Sequence, residues 1–341
     1  MPPRKRSKNP DGMSLRELID DAITEEPIIP GEPPGWLSSG CDLLDWAIGN
    51  GLPLGRMVEV FGRESSGKTT LASHAARSVL REGGELVYLD TEAGVDLTWW
   101  RKLRVDPACS QVYLRTPTYL EEVHDIIERV VLKVKDRETP TLIVWDSLAS
   151  TAAKASFDKK SAEDTVAIGL EARLNSDFFR RKVLKLMRNS KCLLLIRNQV
   201  RSSLSRFAMT EDATETTPGG RATKFYCSVR LKTKRTGYIR RETDPPYGIY
   251  MNVDVVKNKV GPPARDVDLV SFFGTGIDNH LSLIRFLEDQ GAIEKTSNGR
   301  VVWNGKMMLR NDLRALMSTD IATLEAVRDH AREAFKKAYD T

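Results

Sequence analysis

Short apolar runs recur along the middle of the chain, at 57–61, 86–90, 111–114, 141–146 and 192–197. Between them, apolar residues repeat every three or four positions over 68–81, 118–135 and 166–189. In the second of these, Leu120, Val123, Ile127, Val130 and Val134 fall on one helical face. Strand-length runs alternating with helical periodicities predict an α/β fold, with a mostly parallel central sheet covered by helices on both faces. Sheets of that kind take ligands at the carboxyl ends of their strands. Beyond residue 224 the pattern changes, and Phe225–Leu231 and Ile249–Val256 read as strands. Past Gly274 it predicts a helix near 278–290, a hairpin turning on Asn298-Gly299 and a helix near 320–338. Upstream, Ser14-Leu15-Arg16-Glu17 is a capping box opening a short helix with Leu15, Leu18, Ile19, Ala22 and Ile23 on one face. A Pro/Gly-rich tether, Pro27 to Gly35, follows, so this helix must bury its stripe on its own core or on a neighbouring subunit. The predicted organisation is 1–35, tail, helix and linker; 36–273, core; and 274–341, a small C-terminal domain.

The first strand, Met57-Val58-Glu59-Val60-Phe61, runs into Gly62-Arg63-Glu64-Ser65-Ser66-Gly67-Lys68-Thr69, and that into a helix beginning Thr70-Leu71-Ala72. Strand, glycine-bounded loop, then helix is the context in which G-x-x-x-x-G-K-[ST] cradles phosphate. The glycines let backbone N–H groups curl around phosphate oxygens, and the helix presents the positive end of its dipole. Lys68 suits the β/γ-phosphates and the Thr69 hydroxyl suits Mg²⁺. The strand Thr141–Asp146 ends in a carboxylate of the kind that holds a magnesium shell, usually through water. Leu89-Asp90-Thr91-Glu92 ends another strand with two acids that share a face, and either suits the orientation of an attacking water. Asp96 and Trp99 follow, the latter an aromatic placed to stack on a base or to pack in the core.

The net charge of +5 permits a nucleic-acid partner without requiring one. Residues 1–13, with Arg4, Lys5, Arg6 and Lys8, read as a solubilising tail or a nucleic-acid contact. The cluster Arg230, Lys232, Lys234, Arg235, Arg240 and Arg241 suits a solvated strand face and a nucleic-acid patch equally. From Gly274 onward ten basic residues balance ten acidic ones, so the excess charge lies upstream. No apolar stretch approaches a membrane span, and no secretory leader is visible. The cysteines Cys41, Cys109, Cys192 and Cys227 and the histidines His74, His124, His280 and His330 are scattered, which predicts reduced thiols in an intracellular protein and no metal beyond the Mg²⁺ of the nucleotide. The segment Val200–Arg221 is rich in Ser, Thr and Gly, with only Leu204, Phe207 and Met209 as sizeable apolar residues, so it is expected to be mobile in the free protein. Its cations Arg201, Arg206 and Arg221 suit phosphates, and Phe207 suits base stacking.

These motifs together resemble the bacterial RecA recombinase family, of which the chain reads as a divergent member. The similarity runs from about Trp36 into the C-terminal unit. It is carried by Gly51-Leu52-Pro53-Leu54-Gly55-Arg56, Glu64-Ser65-Ser66-Gly67-Lys68-Thr69-Thr70, Asp90-Thr91-Glu92, Asp146-Ser147, Asn198-Gln199-Val200-Arg201, Pro218-Gly219-Gly220-Arg221-Ala222, Lys224-Phe225-Tyr226 and Val256-Lys257-Asn258-Lys259. The resemblance implies a RecA-type phosphate-loop ATPase core with an N-terminal helical arm, a small α+β C-terminal domain, and ATP and Mg²⁺ as cofactors. It makes Glu92 the catalytic glutamate, Asp96 and Trp99 the adenine contacts, Gln199 the γ-phosphate sensor, and Lys257 and Lys259 cations that reach into a neighbour's ATP. It places DNA-binding loops at 157–168 and 200–222, with Arg173, Arg201, Arg206, Phe207, Gly219, Gly220 and Arg221 as contacts, and makes the helix at 14–24 the arm that docks protomers. Arg63, Trp145, Pro218 and Arg221 depart from the usual family residues, and the chain ends at Thr341 without an acidic tail. The expected activity is ATP-dependent strand exchange in a head-to-tail filament on single-stranded DNA, aligned with homologous duplex, in the cytoplasm of a bacterial or phage-infected cell. A ring-shaped motor or helicase on the same core, and a regulatory DNA-bound filament, are the alternatives.

Overall fold

The computed structural model describes residues 32–157, 166–202, 215–218, 220–296 and 299–339. The expected docking helix at 14–24, most of both expected DNA loops, including Arg206, Phe207 and Gly219, and Asn298 lie outside the described residues. Nine strands form the central sheet: β1 (Met57–Gly62), β2 (Glu85–Asp90), β3 (Val112–Arg115), β4 (Thr141–Asp146), β5 (Cys192–Gln199), β6 (Val229–Ile239), β7 (Gly248–Asn258), β8 (Asp266–Phe272) and β9 (Gly276–Ile277). Their spatial order is β9-β8-β7-β6-β1-β5-β4-β2-β3. From β6 through β1 to β3 every neighbouring pair is parallel, while β7, β8 and β9 extend the sheet by antiparallel pairing.

The strands read as apolar runs because both faces of the sheet are covered, and every residue of β1 and β4 is buried. Strand alternation sorts their side chains. Val58, Val60, Leu86, Tyr88, Leu142, Val144, Leu193 and Leu195 share a core with Leu71, Ala72, Ala75 and Ala76 of the helix Lys68–Arg81. Val87, Leu89, Ile143, Trp145, Leu194 and Ile196 pack with Val123, Ile127 and Val131 of the helix Leu120–Val134 on the other face. They also meet Phe178, Phe179 and Val183, which lie on one helical stretch, Val166–Phe178, Phe179–Val183 and Leu184–Met187, whose middle segment is π-helical. Residues 33–341 form one compact unit. The helices Asn279–Asp289, Arg310–Thr319 and Ile321–Tyr339 supply Leu283, Leu287, Leu313, Val327 and Phe335 to the first of these cores.

One sequence expectation needs correction. The strand expected over Phe225–Leu231 begins only at Val229, because Gly220–Tyr226 is helical. Ala222, Thr223 and Cys227 are buried along one side of that turn while Phe225 is 68% exposed, a helical spacing that the short apolar run disguises. The chain turns back twice in this region: Lys295 bridges Val301 antiparallel, with the Thr296 N–H donating to the Arg300 carbonyl at 3.0 Å, which brackets the expected turn, and Arg300–Trp303 then pairs with Lys306–Leu309 around Asn304-Gly305, both at positive φ. Both Asn-Gly pairs carry the turn signal, and the second of them was not singled out in the sequence.

A buried charge cluster ties β1, β5 and β6 together. Glu59, fully buried on β1, pairs with Arg230 Nε on β6 at 2.5 Å and accepts from Asn198 Nδ2 on β5 at 2.8 Å. Arg230 also lies over the Phe61 ring, 4.4 Å from its centroid. Removing one partner of a buried pair costs about 3–5 kcal/mol, because the other charge is left uncompensated. Glu59→Ala should lower the unfolding free energy by an amount in that range, with a lower denaturation midpoint, and Glu59→Gln, which keeps an acceptor for Asn198, should lower it less. An unchanged midpoint in Glu59→Ala would contradict this reading of the cluster.

Candidate nucleotide-binding site

The parallel strands end level with one another, and their ends carry the chemistry. Gly62 of β1 pairs in register with Gln199 of β5, Asp146 of β4 with Arg197, and Asp90 of β2 with Asp146. An open cleft of 630 Å³ lies along this edge, lined by Glu64 to Thr70, Glu92, Trp99, Arg197 and Gln199, with Ile249, Ser271, Phe272 and Phe273 on its far wall.

The phosphate loop is shaped by close packing. A Cβ at Gly62 would sit 2.2 Å from the Thr233 carbonyl oxygen, so only glycine fits there. Gly67 has φ +94 and caps the helix Lys68–Arg81 without any side-chain hydrogen bond, leaving the first amides of that helix to an anion. Ser66 Oγ and Thr233 Oγ1 are hydrogen-bonded at 2.7 Å, which pins the loop to β6. Lys68 Nζ donates to the carbonyls of Gly62 (2.9 Å) and Arg63 (2.6 Å). Burial, then the nearby Arg197 cation, lowers Lys68 to about 8.

The two acids at the end of β2 have different partners. Asp90 is buried and accepts from the backbone N–H groups of Glu92 (3.2 Å) and Val95 (2.9 Å), so it shapes the turn. Glu92 faces the cleft, where it accepts from Ser147 Oγ (2.6 Å), Arg197 Nη2 (2.6 Å) and Gln199 Nε2 (3.1 Å). Burial alone would raise its carboxyl, but Ser147, Arg197 and Gln199 outweigh that and hold it below the usual range. Asp146 is 3% exposed, accepts from the Tyr88 hydroxyl and forms an ion pair with Arg197. Burial pushes its carboxyl up to about 6 against the pull of Arg197. Thr69 Oγ1 and Asp146 are the hard oxygens that Mg²⁺ prefers, and one or two such ligands suffice where phosphates and water complete the shell.

The other predicted residues are spread more widely. Asp96 caps the helix Leu97–Lys102, its Oδ1 accepting from the N–H groups of Thr98 (2.8 Å) and Trp99 (3.2 Å). Trp99 lines the cleft and donates through Nε1 to the Phe273 carbonyl at 3.2 Å. Lys257 Nζ donates to the carbonyls of Lys224 (2.6 Å) and Phe225 (2.9 Å), and Lys259 Nζ to that of Phe225 (3.4 Å). Lys257 stands opposite Arg230, whereas Val253 stands opposite Thr233, which pairs with Gly62. Lys257 is thus about 13 Å along β7 from the level of its own phosphate loop. Arg173 is exposed on the helix Val166–Phe178. Arg201-Ser202 pairs antiparallel with Glu215-Thr216, closing the base of the second expected DNA loop, and the backbones of Gly220 and Arg221 open the helix that follows it.

Sequence reasoning gave no role to Arg197, Tyr88 or Ser147, nor to Asn198, which bonds Glu59 and the Pro218 carbonyl (3.0 Å). A signal for Arg197 was present: a cation in phase with Leu193 and Leu195 at the end of an apolar strand needs an acid beside it.

Comparison with known proteins agrees with this arrangement. The RecA N-terminal domain family matches residues 35–278. Protein RecA of Thermosynechococcus vestitus is 37% identical over 260 residues, covering 76% of this chain and 69% of that protein. Protein RecA of Syntrophobacter fumaroxidans is 34% identical over 284 residues, with 82% and 79% covered. Protein RecA of Streptomyces avermitilis is 35% identical over 291 residues, with 84% and 74% covered. With its phosphate loop, its strand-end acids and a match of this length, the chain belongs to the RecA family.

Proposed function

We propose that the protein is a DNA-dependent ATPase that polymerises head-to-tail on single-stranded DNA and exchanges that strand with a homologous duplex. The observation that carries this reading is the end of β5. Gln199 touches Glu92 in the nucleotide cleft, while its neighbour Asn198, on the opposite face, bonds the carbonyl of Pro218, which lies within the segment 200–222. One residue of strand separates the group that senses nucleotide from the root of the segment that would meet DNA.

In this reading Lys68 leaves the loop carbonyls for the β/γ-phosphates, and Glu92 orients and deprotonates the attacking water. Thr69 and Asp146 would hold Mg²⁺, whose charge would offset that of the phosphates. Asp96 and Trp99 border the adenine end. Lys257 and Lys259, remote from their own cleft, serve the ATP of the next protomer, and the helix at 14–24 docks the protomers together. Arg173, Arg201, Arg206 and Arg221 neutralise DNA phosphates, Gly219 and Gly220 allow close backbone approach, and Phe207 stacks on bases. The whole-function test is strand exchange between circular single-stranded DNA and a homologous linear duplex, with electron microscopy of the protein on DNA with an ATP analogue. Joint-molecule formation and open helical filaments are expected. Closed rings without exchange would replace this reading with a motor, and filaments without exchange with a regulatory platform.

Glu92→Gln should leave nucleotide and DNA binding near wild type and cut ATP turnover about 10²–10⁴-fold, as loss of a general base does. Near-normal turnover in a steady-state assay would transfer the role elsewhere. For the lysines, Lys68→Ala loses its own ATP site but offers intact lysines to a neighbour, and Lys257→Ala has the converse defect. Mixed, the two should recover part of the DNA-stimulated ATPase. A strictly additive mixture, with co-assembly demonstrated, would mean that Lys257 does not act in trans.

A further inference from the structure

Arg197 spends its whole guanidinium on the nucleotide site. Nη1 donates to Thr69 Oγ1 at 2.5 Å, Nη2 donates to Glu92 Oε2 at 2.6 Å, and Nε is ion-paired with Asp146 Oδ1. Those acceptors come from three separate elements: the first turn after the phosphate loop, the turn after β2 and the end of β4. Arg230, by contrast, pairs with one buried carboxylate and stacks on a neighbouring ring. Arg197 instead gathers the hydroxyl and the carboxylate that suit Mg²⁺, together with the acid assigned to water activation.

We infer that Arg197 is a built-in cation gate, which in the nucleotide-free chain holds the oxygens that Mg²⁺ takes and is displaced when Mg²⁺ enters with nucleotide. The inference rests on reading the cleft as a Mg²⁺–nucleotide site and not on the DNA reading. Thr69 Oγ1 and Asp146 Oδ1 are already engaged by the guanidinium, and a second cation placed on the same oxygens would be repelled by the first. Displacement requires no backbone change. Arg197 is fixed in register opposite Asp146 in the middle of the parallel sheet, and its side chain lines the open cleft, so the side chain alone can swing away. Lys68 is likewise held on protein acceptors, the carbonyls of its own loop. Both cations are held on protein acceptors, and incoming phosphates would offer each a new partner. The gate holds Asp146 and Thr69 together without metal, and it raises the Mg²⁺ concentration needed to load nucleotide.

The test is binding of a fluorescent ADP analogue as free Mg²⁺ is varied, for wild type, Arg197→Gln and Arg197→Lys, with Arg197→Met as a second neutral variant should Arg197→Gln misfold by circular dichroism. Removing a competing cation should lower the half-saturating Mg²⁺ concentration by about five-fold or more, the lower end of usual coupling between sites. Arg197→Lys, which keeps the charge, should stay closer to wild type. A merely structural arginine would instead weaken nucleotide binding at every Mg²⁺ concentration. Mg²⁺-dependent binding with an unchanged or higher Mg²⁺ requirement in the neutral variants would overturn the gate while leaving the nucleotide site intact. Failure of wild type itself to bind the analogue would overturn the nucleotide-site reading, and the gate with it.

Discussion

The site depends on the strict alternation of side chains along β5 where that strand reaches the edge of the sheet. Residues 197 and 199 point to one face and 198 to the other, since successive Cβ atoms in a strand alternate. Arg197 and Gln199 therefore enter the nucleotide cleft, and Asn198 joins the buried Glu59–Arg230 pair and the Pro218 carbonyl on the opposite side. Parallel neighbours on both sides fix the register, so a one-residue slip would exchange the two sets of contacts. Position, rather than any long-range pathway, brings nucleotide chemistry and the base of the segment 200–222 within one residue of each other.

Charge balance is the second constraint. Asp146 is buried in the strand-end layer, and a buried carboxylate without a partner is costly. Tyr88, Arg197 and the edge of the cleft share the burden, while Ser147 and Gln199 help hold Glu92. The acids of the cleft are thus balanced mainly by the protein's own Arg197 and its hydroxyl and amide neighbours.

Much of this was legible in the sequence. The runs at 57–61 and 141–146 and the period over 68–81 became β1, β4 and the helix after the phosphate loop, because local pattern and burial on both faces agree. Asp90 and Glu92 were not separable by period, since both share a face; only the turn geometry, which consumes Asp90 in backbone hydrogen bonds, distinguishes them. The helix Gly220–Tyr226 was misread because its apolar residues are few and adjacent. Arg197 and Tyr88 escaped notice because their partners are distant in sequence and meet only when β2, β4 and β5 pair.

If the end of β5 couples nucleotide to DNA, the linkage must be reciprocal. The direct measurement is the affinity for a non-hydrolysable ATP analogue with and without single-stranded DNA, beside the affinity for DNA with and without the analogue, in wild type and Gln199→Ala. Coupling through β5 predicts that each ligand tightens the other by the same factor in wild type and that the factor falls close to one in Gln199→Ala while the analogue still binds. Equal affinities in the presence and absence of the second ligand in wild type, or undiminished coupling without Gln199, would contradict it.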